Sequence, residues 1–136
     1  MLTRRSRTYL KTGRLPDVLA LIQVLALDEH SHRSEPGLEG ELQGPPSSSD
    51  TWISIAREHP EFFRVRQSGE HVVSLTARHV MPKDESGRRP MSSEFTYKLL
   101  QTAIELHDRQ VRRADRWIYL IPIAAALVAG ILGLLK

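Results

Sequence analysis

The clearest feature of the chain is an uncharged apolar stretch at residues 117–135, which reads WIYLIPIAAALVAGILGLL. A helix of this length rises about 28 Å, close to the roughly 30 Å hydrocarbon core of a bilayer. Its Leu, Ile and Val side chains together favour insertion by about 3 to 6 kcal/mol. Trp117 and Tyr119 at one end, and Lys136 beyond the other, are residue types found at membrane interfaces. The stretch therefore predicts a single transmembrane helix.

The flanking charges predict how this span is oriented. Only Lys136 follows it, whereas the cations that precede it are Arg109, Arg112, Arg113 and Arg116. Because Arg and Lys accumulate on cytoplasmic flanks, we expect residues 1–116 in the cytoplasm and the C-terminus across the membrane, as in a tail-anchored, single-pass protein. Arg outnumbers Lys by 15 to 4, which is typical of GC-rich bacterial genomes and favours a plasma (inner) membrane.

Residues 1–14 form a basic N-terminal arm that contains no acidic residue. An apolar stretch follows at 15–27, so the start of the chain has the layout of a secretory signal peptide. Asp17 and Gln23 interrupt that stretch, its apolar positions have helical spacing, and no small-x-small cleavage site precedes Asp28. We therefore expect a solvated arm that can also touch anionic lipid headgroups, rather than an export signal.

The soluble part begins with an amphipathic helix. Pro16 and Asp17 suit a first helical turn, and the helix is expected to fade at residues 28–30. One face of it carries Leu15, Val18, Leu19, Ile22, Leu25 and Ala26. Residues 31–49 are rich in Gly, Pro and Ser and are predicted as a loop, with room for a short helical turn at 37–42.

A second helix and a hairpin are expected next. Ser48, Ser49 or Asp50 is the expected cap, Trp52 the main core aromatic, and His59–Pro60 the end of this helix. Apolar and polar residues then alternate at 63–66 and again at 73–77, which predicts two strands. The dipeptide Ser68–Gly69 between them predicts a turn. Residues 82–92 are expected to be a polar linker.

The order helix, turn, helix and hairpin is that of winged-helix domains, and residues 15–81 resemble one in this order. The resemblance implies that WISIAREHPEFFRV is the last core helix leading into the wing. In winged-helix DNA binders that helix enters the major groove. The expected fold class is α+β: a small winged-helix-like domain, then a long juxtamembrane helix continuing into one transmembrane helix. The chain is also similar to small uncharacterised bacterial membrane proteins, which implies no activity.

The juxtamembrane helix is expected at 93–116, capped by Ser92 or Ser93. A heptad seam runs through Tyr97, Leu100, Ile104, His107, Val111 and Ala114. It predicts either a parallel coiled coil, and hence a homo-oligomer through residues 97–135, or a face that packs on the soluble domain. Two small-xxx-small pairs in the span would allow close helix approach, namely Ala126 with Gly130 and Ala129 with Gly133.

No pattern in the sequence predicts catalysis. The chain has no cysteine, no phosphate-binding glycine loop and no GxSxG or zincin motif. The densest set of metal-ligand types is Asp28, Glu29, His30 and His32, which a solvated helix end explains as well as a metal site does. We therefore predict no enzyme, no metal and no cofactor.

Two functions remain, and the charge balance bears on both. Before residue 117 the chain has 18 basic and 16 acidic residues, which is no polyanion-binding composition by itself. The first function is a membrane-tethered cytoplasmic protein-interaction module that binds an unknown protein partner. The alternative is a membrane-anchored winged-helix nucleic-acid-binding protein that uses Arg57, Arg64 and Arg66.

Overall fold

The computed structural model describes residues 7–135, except for the side chain of Trp117. Residues 1–6, the Trp117 side chain and Lys136 therefore lie outside the described residues. The helices are α1 (Arg14–Leu27), α2 (Glu35–Glu41), α3 (Trp52–Glu58) and α4 (Ser93–Leu134), with 3₁₀ helices at Thr8–Leu10 and Thr76–Val80. The strands are β1 (His32–Arg33), β2 (Phe63–Val65) and β3 (Val73–Leu75). The fold is thus a mixed one, mostly helical, with a small three-stranded sheet and a long apolar C-terminal helix.

The first helix forms where the sequence predicts it and supplies the centre of the core. Val18, Leu21, Ile22 and Leu25 recur at helical spacing and are fully buried. Gly13 precedes the helix at φ +79°, and an added Cβ there would lie 2.7 Å from the Ser47 side-chain oxygen. Glycine at this entry therefore allows the later loop to pack against the start of α1.

The prediction of a loop at 31–49 is wrong at residues 32–36, whereas the short helical turn predicted at 37–42 is present as part of a longer helix. Residues 32–33 form β1, and Glu35–Glu41 form α2. The Ser34 side chain accepts a hydrogen bond from the Gly37 amide and caps α2, while Pro36 occupies the first turn, where no amide hydrogen is needed. The residues that suggested a loop thus serve here as helix-start residues, and Leu38 is buried in the core.

The cap of α3 also differs from the prediction of Ser48, Ser49 or Asp50. Thr51 is the cap, and its hydroxyl accepts from the Ser54 amide at 3.1 Å. The backbone and side chain of Ser48 are instead hydrogen-bonded to Asp17. Trp52 is buried as predicted, at 3% exposure.

The three strands form an antiparallel sheet in the order β1-β3-β2. Phe63 pairs with Leu75, and Val65 pairs with Val73, so one face of the sheet is apolar and faces the core. The predicted second strand extended to Ala77, but a 3₁₀ helix begins at Thr76. The hairpin itself is present as predicted.

The last helix is continuous from Ser93 to Leu134 and has two different halves. In the first half Leu99, Ala103 and Leu106 pack against the core, and Ala103 is fully buried. Tyr97, the first residue of the predicted seam, is 61% exposed. Of the predicted seam positions only Leu100 is among the residues packed against the core. The helix therefore packs on the domain mainly through a neighbouring face, and the coiled coil stays a prediction. In the second half every residue from 118 to 135 is exposed.

Candidate functional site

The apolar second half of α4 is the first candidate functional feature. It is long and apolar enough to cross a bilayer, and none of its apolar window is buried. A buried core helix passes the same test of length and composition, but it would not leave large side chains such as Leu127, Ile131 and Leu132 more than half exposed. Pro122 lies inside this half, where it removes one backbone hydrogen bond, as is tolerated in membrane helices.

Four arginines form a cationic collar just before the apolar half. Arg109, Arg112, Arg113 and Arg116 line one shallow groove of about 320 Å³ on α4. The predicted interface residues Arg112, Arg113 and Arg116 are thus brought together, and Tyr119 is exposed one turn further on. No ion pair between a carboxylate and these arginines is present within residues 7–135. The collar therefore presents uncompensated positive charge at the predicted boundary of the membrane.

A polar junction holds the soluble domain against α4 close to this collar. The Tyr9 amide donates to the side-chain oxygen of Gln110 at 2.8 Å, and the Tyr9 hydroxyl donates to Glu61 at 2.6 Å. The Nδ1 atom of His59 lies 3.0 Å from the same Glu61 oxygen, and the rings of Tyr9 and His59 lie 4.5 Å apart. Gln110 is seven residues before Trp117, so the junction lies about 10 Å along the helix from the apolar half.

Arg14 extends this junction into the domain. It is fully buried, and it donates to Ser48 Oγ at 2.9 Å and to Glu58 at 2.5 Å, while its Nη1 lies 3.3 Å from His59 Nε2. Lys11 also binds Glu58, at 3.0 Å. The part of the predicted basic arm from residue 8 to residue 14 is therefore packed on the domain rather than solvated.

The pKa values at the junction favour an ionised Glu61 and a neutral Tyr9. Burial would raise the pKa of Glu61, but hydrogen bonds from His59 and Tyr9 outweigh it and lower the pKa. Burial and the contact with Glu61 raise the pKa of Tyr9, so its hydroxyl keeps its proton. Each of these groups is occupied by a structural partner, which is the arrangement of a clamp rather than of a reactive centre.

The outer face of the sheet carries a second concentration of positive charge. Arg64 and His32 both pair with Ser74 across the sheet, so these three residues lie in one row on the face opposite the core. His79 lies over this row, with its Nε2 3.1 Å from Ser74 Oγ and its ring 5.4 Å from the ring of His32. We call the surface formed by His32, Arg64, Arg66, His71 and His79 the outer-face patch.

The structure separates the three arginines that the nucleic-acid interpretation uses. Arg64 and Arg66 lie in or just after β2 and are exposed. Arg57 lies on α3, also exposed, but next to Glu58, which is already paired with Lys11 and Arg14. The predicted pair of cations on the hairpin is thus joined by His32, His71 and His79, which the sequence did not place beside them, and not by cations from α3.

The small residues predicted to bring helices together lie on the open surface of α4. Ala126, Ala129, Gly130 and Gly133 are all exposed. A Cβ added at either glycine would meet nothing within 4 Å. Self-association through these positions stays a prediction.

Within residues 7–135, no group of three or more His, Asp or Glu side chains could hold a metal ion. In the cluster at 28–32, Asp28 forms an ion pair with Arg33 instead. In the comparisons with known proteins, no family model, curated protein or solved structure matches the chain.

Proposed function

We propose that the chain is a membrane-tethered, non-enzymatic protein-interaction module, with residues 117–135 spanning a bilayer and the soluble domain held at its cytoplasmic surface. The observation that carries this proposal is the double role of α4. One half packs on the core through Leu99, Ala103 and Leu106, and the other half exposes only apolar or small side chains. The same rigid element therefore fixes the domain and enters the membrane.

The short distance between the polar junction and the proposed membrane span supports an interaction role. The hydrogen bond between the Tyr9 amide and Gln110 lies only about 10 Å along the helix from Trp117. No flexible linker separates the two parts, because the helix runs through without a break. A domain held in this way presents the same surfaces to every partner that approaches the membrane.

We further propose that residues 15–81 form a winged-helix-like domain, and the order of their elements supports this. The elements occur in the order helix, strand, helix, helix, strand, strand, and the first strand pairs with the last. This arrangement closes a helical core with a hairpin, as a wing does. In this arrangement the short strand β1, which the sequence pattern did not predict, lies at the edge of the sheet beside β3.

The cationic collar supports a cytoplasmic position for the domain, and the excess of Arg over Lys, 15 to 4, favours a bacterial plasma (inner) membrane. Four arginines lie within one helical segment on the domain side. Positive charge beside a span is retained on the cytoplasmic side. We therefore expect protease added to right-side-out vesicles, which enclose the cytoplasmic face, to spare the domain. Protease added to inverted vesicles should digest it.

The interaction role is tested by recovering partners from membranes under two conditions. The full chain, solubilised in mild detergent after cross-linking, should recover a specific protein, and the chain truncated after Arg116 should recover less of it because it no longer concentrates at the membrane. An Arg57→Gln variant serves as the control for nonspecific ionic capture. Recovery of no partner by the full chain under these conditions would contradict the interaction role.

A nucleic-acid-binding function is the second candidate, and the exposure of Arg64 and Arg66 on the hairpin favours it. Neither arginine forms an ion pair within the described residues. A nucleic-acid binder loses affinity linearly in the logarithm of salt concentration as counterions are released. If the full chain retains no DNA even at low salt, this second function is excluded.

A further inference from the structure

We propose that the outer-face patch is a docking site for an extended acidic segment of a partner protein, and that it binds more tightly as the pH falls below 7. This inference rests on the proposed interaction function and names the surface and the chemistry of the partner. It starts from the geometry of the sheet, which places cations on one face at regular spacing.

The positive charges lie at spacings that suit an extended peptide. Arg64 and Arg66 are two residues apart along one strand direction, which separates them by about 6.6 to 7 Å. Acidic side chains at alternate positions of an extended peptide have the same separation. Each guanidinium can bind a carboxylate with two parallel hydrogen bonds. The patch thus matches a segment in which Asp or Glu occupies every second position.

The patch has few competing carboxylates. Asp28 is paired with Arg33, and Glu29 with Arg88. The basic side chains that face one another across the sheet come from β1, β2, the hairpin loop, the 3₁₀ helix and the following segment: His32, Arg64, Arg66, His71, His79 and Arg89. An incoming acidic segment would therefore supply the missing negative charge.

The two half-buried histidines make the charge of the patch depend on pH. Burial and the neighbouring cations Arg66, His79, Arg64 and His71 lower the pKa of His32. Burial and the nearby Arg64, Arg89 and Arg66 lower the pKa of His79. Both rings are therefore neutral at pH 7 and gain a proton only in more acidic solution. A bound carboxylate favours the charged form of each ring, so binding and protonation must strengthen each other.

The location of the cations favours an acidic peptide over a nucleic acid. The adjoining helix α3 offers Arg57 beside Glu58, so the positive surface of the sheet does not continue onto the helix that a winged-helix DNA binder would place in the groove. A compact patch on one sheet face suits a short segment of a protein.

The test uses the full chain in phosphatidylcholine nanodiscs, whose headgroups carry no net charge. Fluorescence anisotropy measures binding of a labelled octapeptide with alternating Thr and Asp. The matched probes are a peptide with Asn in place of Asp, a peptide of the same composition with all Asp residues adjacent, and a single-stranded oligonucleotide. We expect the alternating Asp peptide to bind most tightly, and roughly five- to tenfold more tightly at about pH 5.5 than at about pH 7.5.

Variants assign this binding to the patch. Arg64→Gln combined with Arg66→Gln should weaken it roughly tenfold, whereas Arg57→Gln, an exposed arginine on α3, should leave it unchanged. His32→Gln combined with His79→Gln should reduce the pH dependence, leaving only the contribution of His71, but keep most of the affinity at about pH 7.5. Circular dichroism shows whether each variant keeps its fold. If a double variant does not fold, the two corresponding single variants are measured in its place.

Three results would overturn the inference: equal binding of the Asp and Asn peptides, unchanged binding by the Arg64 and Arg66 variant, or a clear preference for the oligonucleotide. A partner that still copurifies with the Arg64 and Arg66 variant would refute the docking site while leaving the interaction module in place.

Discussion

Replacing Arg78 with Met should destabilise the soluble domain strongly. Arg78 is only 2% exposed, and within residues 7–135 it forms no ion pair. Its guanidinium donates to the carbonyl oxygens of Leu25 at 2.8 Å, Arg89 at 2.9 Å, His30 at 3.2 Å and Glu29 at 3.3 Å. It therefore joins the end of α1, the segment before β1 and the segment after the second 3₁₀ helix.

The magnitude follows from these four contacts. A hydrogen bond from a charged group contributes about 1.5 to 3 kcal/mol to stability, and the two shortest contacts would together contribute about 3 to 6 kcal/mol. Burying the guanidinium offsets part of this gain, and the nearby C-terminus of α1, with its partial negative charge, reduces that cost. We expect Arg78→Met to lower the free energy of unfolding by about 2 to 4 kcal/mol.

Urea unfolding followed by far-UV circular dichroism measures this change in the chain truncated after Arg116. With a slope of about 1 to 2 kcal/mol per molar urea, the midpoint should fall by about 1 to 4 M. Arg57→Met makes the same change at an exposed helical position and should cost less than about 0.5 kcal/mol. Arg78→Lys keeps the charge and should lie between the two. Equal midpoints for Arg78→Met and Arg57→Met would refute this role of Arg78.

Two further predictions concern the core and the junction with α4. Trp52→Ala should cost about 3 to 5 kcal/mol in chemical denaturation, whereas Trp52→Phe should cost about 1 to 2 kcal/mol, because it loses mainly the indole hydrogen bond to the Gly44 carbonyl; equal losses would contradict the packing. Because the pKa of Glu61 is lowered in the folded state, its contribution to stability is present above its unfolded pKa of about 4.3 and is lost as the pH falls below that value. Stability measured against pH should therefore decline less steeply in this acidic range for Glu61→Gln than for the unmodified chain, and parallel curves would exclude Glu61 as a source of the decline.

The sequence predicts those elements whose signal lies within the element itself. The first helix has its own apolar face, the hairpin has its own alternation and turn, and the apolar half of α4 needs no partner to be recognised. Strand β1 has only two residues, and it exists because His32 and Arg33 pair with β3, which lies about forty residues later. No local pattern in the sequence indicates that these two strands pair.

The buried polar contacts also could not be predicted from the local sequence pattern. Arg14 looks like part of a basic arm, and Arg78 like an exposed residue near a strand end, yet both are buried by partners distant in sequence. The Arg64 and Arg66 pair could be picked out from its alternation with apolar residues. Its neighbours His32 and His79 could not, because the sheet order that joins them is a property of the fold.

The membrane anchor is the central claim, and a flotation assay on membranes washed at alkaline pH tests it most directly. The full chain should float with the lipid and resist extraction, and the chain truncated after Arg116 should stay soluble. Leu127→Arg combined with Val128→Arg adds about 5 to 7 kcal/mol at the middle of the span. It also removes two of the ten Leu, Ile and Val residues, which leaves about 2.4 to 4.8 kcal/mol in favour of insertion and should release the chain. Leu27→Arg, at an exposed position of the soluble domain, should still float. A full chain that is extracted as readily as the truncated one would contradict the anchor and the tethered function built on it.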